Sequence, residues 1–230
     1  MRRAWFFCAW AALLAGGAAQ AENVGRTAFA LPSPAWELLV TYERAVSYIG
    51  GASKDPLYVA VYVLPGTGTG PLALLQITST KGGHRNAKVQ WVSDRCPDPR
   101  PKYFADDSDT NKTTRRQDCL IVNPAFSPKA FFGENPELAA ALEARHMELF
   151  KSGYSIRSRV ATETGEFLVV NLMTQKTFRG LPNVAPASAQ LYDVPAPLVA
   201  WGEQLRDAVR AAAYSATGDL LLPPVDLQKP

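Results

Sequence analysis

Hydrophobic and polar positions alternate along much of this chain, with a period of two. Residues 57–64, LYVAVYVL, are apolar and rich in β-branched and aromatic side chains at every position, the signature of a strand covered on both faces. Residues 65–71, PGTGTGP, break the run, and Leu72 to Thr80 resume it as a second strand. A glycine-rich break between strands is able to cradle phosphate, but no Gly-Lys-Ser/Thr follows and no helix opens there, so a hairpin connection is the better reading. After the turn at 81–86, Ala87, Val89 and Trp91 alternate with Lys88 and Gln90, as in a strand with one wet face. Leu120 to Val122 predict a short strand. Tyr154, Ile156, Ser158 and Val160 alternate with Arg157 and Arg159, and Thr164-Gly165 turn the chain into FLVVNLM at 167–173, which predicts a hairpin.

The period changes to 3.6 in two places. Asn135, Pro136 and Glu137 suit a helix N-terminus, and Leu138, Ala141, Leu142, Leu149 and Phe150 then share one face up to Gly153. Leu198, Trp201, Leu205, Val209 and Ala212 form the stripe of a second helix ended by Gly218. A third segment is ambiguous. Ser33-Pro34 resembles a helix start, and Trp36, Leu39, Val40, Glu43 and Val46 follow at near-helical spacing, whereas Val40, Thr41, Tyr42 and Val46 favour a strand; the helix is the expectation carried forward. A meander, a helix, a hairpin and a helix make an α+β order: a mostly antiparallel sheet of about six strands against two or three amphipathic helices. The tail DLLLPPVDLQKP is expected to dock through Leu220 to Leu222, since three exposed leucines are costly.

The amino terminus sets the compartment. Arg2 and Arg3 precede twelve apolar residues, Ala4 to Ala15, and then Gly16-Gly17-Ala18-Ala19-Gln20-Ala21. That order is a secretory signal peptide cleaved after Ala21, and twelve residues fall short of the roughly 20 that span a bilayer. Residues 1–21 are therefore read as signal peptide, 22–32 as a flexible arm and 33–230 as one α+β domain, exported to the periplasm or beyond. Cleavage removes two of the 24 basic residues and leaves 22 against 21 acidic ones, a net charge of +1. Such a chain shows no footprint for nucleic acid, and no second apolar run predicts a transmembrane segment.

Cleavage also leaves two cysteines, Cys96 and Cys119, and an even count in an oxidising compartment predicts a disulfide between them. Closing a 24-residue loop stabilises the fold by about 3 kcal/mol in the chain-entropy picture. Inside that loop Asp107, Asp109 and Asn111 alternate, and Asp118 stands where a calcium loop carries its last carboxylate. The sixth position is Lys112 rather than Gly, and Arg115 and Arg116 add repulsive charge, so a solvated turn is the stronger reading and a calcium module the weaker. Asn111-Lys112-Thr113 is a glycosylation sequon, meaningful in a eukaryotic source.

Catalytic patterns are sparse. The chain has no G-x-S-x-G, H-E-x-x-H or S-x-x-K set with its companions. His84 falls in a Gly-rich turn, His146 beside the apolar stripe of its helix as a core-edge residue, and Glu163 and Glu166 beside a hairpin turn where water keeps them ordinary. Lys88, Arg157 and Arg159 are expected to share the wet face of the sheet, where a basic surface holds an anion, a lipid head group or an acidic partner. Tyr58 and Tyr62 share a strand face and line either a cleft or the core beneath a helix. The reading that follows is a non-catalytic exported binding protein that recognises a protein or an envelope component and uses no cofactor. The rival is a secreted hydrolase with a site assembled from distant residues.

Overall fold

The computed structural model describes residues 21–47, 54–66, 68, 70–81, 103–106, 116–126, 128–133, 135–181 and 194–225. The expected strand 87–91 and residues 1–20 lie outside these. The described chain is an α+β structure built on two sheets. Ten strands occur in chain order: β1 Ala21–Val24, β2 Thr27–Ala30, β3 Glu37–Ser47, β4 Lys54–Pro65, β5 Pro71–Thr80, β6 Tyr103–Asp106, β7 Gln117–Phe126, β8 Gly153–Ala161, β9 Phe167–Gln175 and β10 Asp219–Leu220. Three helices join them: α1 Pro128–Gly133, α2 Pro136–Ala144 and α3 Ala196–Tyr214.

The large sheet has seven strands in the order β3-β4-β5-β9-β8-β7-β6, every neighbouring pair antiparallel. Its two faces are covered differently. Even-numbered side chains of β7, β8 and β9, such as Leu120, Val122, Ile156, Val170 and Leu172, join Ala60, Tyr62, Leu75 and Ile77 against Leu198, Trp201, Leu205 and Val209 of α3. The helix lies close because Gly202 faces the sheet, where a Cβ would sit 3.2 Å from Ile156, Leu120 and Val122 methyl carbons. The opposite face packs Val59, Val61, Val63, Leu74 and Met173 against Leu138 and Leu142 of α2. β4 is thus apolar on both sides, as its unbroken run over 57–64 requires.

Three expectations are corrected. The helix expected from Ser33 is not formed over the described residues 33–47: β3 pairs with β4 from Glu37 to Ser47, because the β-branched and aromatic residues there gain a partner strand and a half-buried face. Residues 22–32 are not a loose arm. β1 and β2 pair as a hairpin around Gly25 at φ 58, β10 adds parallel to β2, and Val24 and Phe29 are buried in the α3-side core. Gly25 is required twice over, since a Cβ there would lie 2.4 Å from the Thr80 carbonyl oxygen. The helix expected over 135–150 stops at Ala144. His146 at φ 53 donates its N–H to Glu143 O at 2.9 Å, and Met147 donates to Leu142 O at 2.9 Å, the paired bonds of a left-handed helix stop. Leu220 docks as expected, buried against the core, whereas Leu221 is exposed.

Candidate functional site

The α2 side of the sheet carries an apolar patch and, beside it, a polar row. Register places Val40, Val61, Gln76, Asn171, Arg157 and Ile121 side by side across six strands. The next row is Tyr42, Val59, Thr78, Val169, Arg159 and Cys119. Side chains opposite one another in such rows lie roughly 5 Å apart, so Gln76, Asn171 and Arg157 form one continuous strip, with Arg159 diagonal to it. Gln76 and Asn171 are each 5% exposed, deep enough to lose their water. Asn171 Oδ1 is buried and meets no donor among the described residues.

A hydrogen-bonded chain ties this strip to the helices. Gln76 Nε2 donates to Tyr42 Oη at 3.4 Å, Tyr42 donates to Asn135 Oδ1 at 3.1 Å, and Asn135 Nδ2 donates to the Phe131 carbonyl at 2.7 Å. Asn135 occupies the position expected of a helix cap, but its side chain is engaged here rather than on the α2 backbone. Burial pushes the Tyr42 phenol above its ordinary value, against the opposing pull of the nearby Arg44.

Arg157 and Arg159 share this face, as their alternation with Ile156 and Ser158 requires; Lys88, expected to join them, lies outside the described residues. Arg159 is set by three influences. Burial is the largest, followed by Arg157 and Arg44, and together they lower its guanidinium to about 10. The cation stands 5.1 Å from the centre of the Phe167 ring, whose π-face offsets part of the lost hydration. Arg44 on β3 is the member of the basic group that alternation did not single out. It follows a segment read as helical, so its face could not be assigned.

The remaining sequence candidates disperse. Asp118 lies inside β7, on the α3 side, with Oδ1 accepting from Arg206 Nε at 3.0 Å and Oδ2 from Arg210 Nε at 2.6 Å. Asp107, Asp109 and Asn111 lie outside the described residues, and among those described no group of three or more His, Cys, Asp or Glu converges to hold a metal. Cys119 is buried; its expected disulfide partner Cys96 lies outside the described residues, as does His84. His146 is exposed in the left-handed turn rather than at a core edge, because the chain leaves the helix two residues before it. It rims a groove of about 770 Å³ floored by Leu142, Met147, Leu149 and Phe150. Glu163 is exposed, but Glu166 is ion-paired to Arg26 at 2.7 Å, where the same guanidinium reaches the Ser215 carbonyl beyond α3 at 2.6 Å.

The two tyrosines separate. Tyr62 is core, edge-on to Phe29 at 5.8 Å between ring centres, with its hydroxyl 3.5 Å from Glu22. Tyr58 instead lines a cleft of about 310 Å³ with Asn23, Gly25, Thr41, Glu43 and Ala60. Among the described residues no helix is long and apolar enough to cross a membrane. Comparison with protein-family models, with curated proteins and with solved structures finds no match to this chain.

Proposed function

We propose that the chain is an exported, non-catalytic binding protein that recognises an anionic group of a partner protein or envelope component on the α2 side of its sheet. The observation that carries this reading is the assembly of Arg44, Arg157 and Arg159 around one partly buried polar strip, where burial and mutual repulsion depress the Arg159 guanidinium to about 10. Guanidiniums gathered at a partly desolvated position create a positive potential that favours an anion beside them. Guanidinium and amide groups in fixed positions suit a carboxylate or a phosphate, which accept two parallel N–H bonds from one arginine. The strip stands on central strands braced from both sides, so little entropy is lost on binding. A signal peptide cleaved before Glu22 and a Cys96–Cys119 disulfide belong to the same reading, as the chemistry of an oxidising compartment.

Isothermal titration of the mature chain with poly-glutamate and with pyrophosphate tests the proposal. Saturable heat that weakens with salt is expected, with at least about a tenfold loss of affinity in the Arg157→Gln, Arg159→Gln double variant. Equal binding by both proteins, or none by the unmutated one, overturns it. Retention of poly-glutamate but not pyrophosphate assigns the site to an acidic protein, and the reverse to a phosphate-bearing envelope component.

A further inference from the structure

Among the described residues the large sheet ends on one side at β3, whose one described neighbour is β4. Thr41, Glu43, Arg44 and Ala45 are exposed there. An outer strand presents a row of N–H and C=O groups along its free side, and proteins commonly blunt such an edge. Among the described residues the blunting is confined to one end. Arg145 reaches over from α2 to the start of β3, its Nη2 donating to the Leu38 carbonyl at 2.6 Å and its Nη1 standing 3.4 Å from Glu37, and the register slips between Leu38 and Val40. From Val40 onward the edge is regular, paired residue for residue with β4 as far as Ser47.

We propose that this edge, from Val40 to Ala45, is a strand-addition site for an extended segment of a partner protein that carries an acidic residue followed by Lys or Arg. Main-chain hydrogen bonds supply affinity in such a site, and alternate side chains supply selection. Arg44 projects to the α2 side and Glu43 to the α3 side, so each face of the added strand meets one charge. An opposite charge directly across is favourable and a like charge is not. Every pairing in the large sheet is antiparallel, and an antiparallel guest meets Arg44 first and Glu43 second, which fixes the order acidic then basic. The basic residue has somewhere to go. Its stem reaches over Glu43 into the cleft floored by Ala60 and walled by Tyr58, a ring that favours a cation on its face.

A second copy of this chain is a poorer occupant. A two-fold axis normal to the sheet keeps like faces together, so Glu43 meets only Thr41, Glu43 or Ala45 of the other copy, and Arg44 meets only Val40, Tyr42, Arg44 or Val46. No complementary pair forms in any register. The edge site is independent of the strip described above, except that Arg44 belongs to both.

The probe is an acetylated, fluorescein-labelled peptide of about eight residues, Thr-Val-Thr-Glu-Lys-Val-Thr-Val, titrated against the full mature chain by fluorescence anisotropy. Saturable binding is expected, with slowed hydrogen exchange at the β3 amides, and the peptide with Lys before Glu should bind about fivefold more weakly. Exchanging the charges, Glu43→Lys with Arg44→Glu, should invert that preference. Both sites are exposed, and far-ultraviolet dichroism checks that the variant is folded. A peptide methylated on alternate amide nitrogens tests the unmutated protein alone and should not bind. No saturable binding up to millimolar peptide, an order preference untouched by the exchange, or protection confined to other strands overturns the proposal. So does a dimer of the unmutated chain that the exchange abolishes, since the occupant is then a second copy. Loss of poly-glutamate binding in the Arg157→Gln, Arg159→Gln variant with peptide binding intact separates the two sites.

Discussion

Replacing Asp118 by Ala is expected to destabilise the fold more than any single change on the strip, because it removes the buried carboxylate that Arg206 and Arg210 share. The carboxylate is 4% exposed and accepts from Arg206 and Arg210, which stand one helical turn apart on the same face of α3. Breaking a buried pair by removing one partner costs about 3–5 kcal/mol. The Arg206 side chain is 14% exposed and Arg210 is 38% exposed, so water screens the second interaction and the lower end of that range applies, about 3 kcal/mol. For a chain of this length the melting temperature should fall by about 6–12 °C. Urea unfolding followed by tryptophan fluorescence measures it, since Trp201 is buried beneath the same helix. A triple variant, Asp118→Leu with Arg206→Met and Arg210→Leu, removes the charges together and should recover most of the loss. A cost below about 1 kcal/mol for Asp118→Ala refutes the clamp. A triple variant no more stable than the single one shows that lost packing, and not stranded charge, was responsible.

Three further outcomes follow from the coordinates. Gly202→Ala gains about 1 kcal/mol of helix propensity, but three methyl contacts at 3.2 Å crowd the new Cβ, so a net loss of about 1 kcal/mol is expected by chemical denaturation. His146→Gly should stabilise by about 1 kcal/mol, because an exposed L-residue at φ 53 is strained and glycine is not; an unchanged urea midpoint would sink the assignment of the left-handed stop. Burial, and then Glu22, push the Tyr62 phenol from 10.0 up to about 12. Its folded form therefore holds the proton more tightly, so its contribution is fully present below pH 10 and is lost as pH climbs towards 12. Arg159, lowered from 12.5 to about 10, gives the opposite slope in that window, so the readout is the difference between the wild type and Tyr62→Phe, which should lose stability less steeply.

Legibility in the sequence tracked how local each signal was. The runs that became β4, β5, β8 and β9 were readable because a strand covered on both faces, or alternating on one, writes its period into consecutive residues. Arg157 and Arg159 were placed on one face for the same reason. β3 was misread because Trp36, Leu39, Val40 and Val46 fall on a spacing that helix and twisted strand share, and only the partner strand decides between them. The strip was hidden for a different reason. Gln76 and Arg157 flank Asn171 only because β9 inserts between β5 and β8, a fact of strand order that no periodicity records. Asp118 was read as part of a solvated turn and, more weakly, by its spacing from Asp107 as a calcium ligand, whereas it sits in a strand and answers to α3 from 88 residues away.

The division of labour between the sheet's faces follows from this order. On the α3 side Leu120, Ile156, Val170, Leu172 and Trp201 interlock, Arg26 binds carbonyls at the end of α3, and Asp118 pairs with Arg206 and Arg210 within that helix. On the α2 side the short helix packs around Val61, Leu74 and Met173, and the buried polar strip lies beside that contact. An antiparallel sheet tolerates polar side chains wherever a face is left open, without losing its ladder. Amides and guanidiniums held on a rigid backbone, with Gln76 and Asn171 each buried, form a fixed polar arrangement rather than a solvated surface. Among the described residues β3 is the outer strand, and Arg44 on it joins the edge to the border of the strip, so the proposed edge and strip sites meet at one side chain.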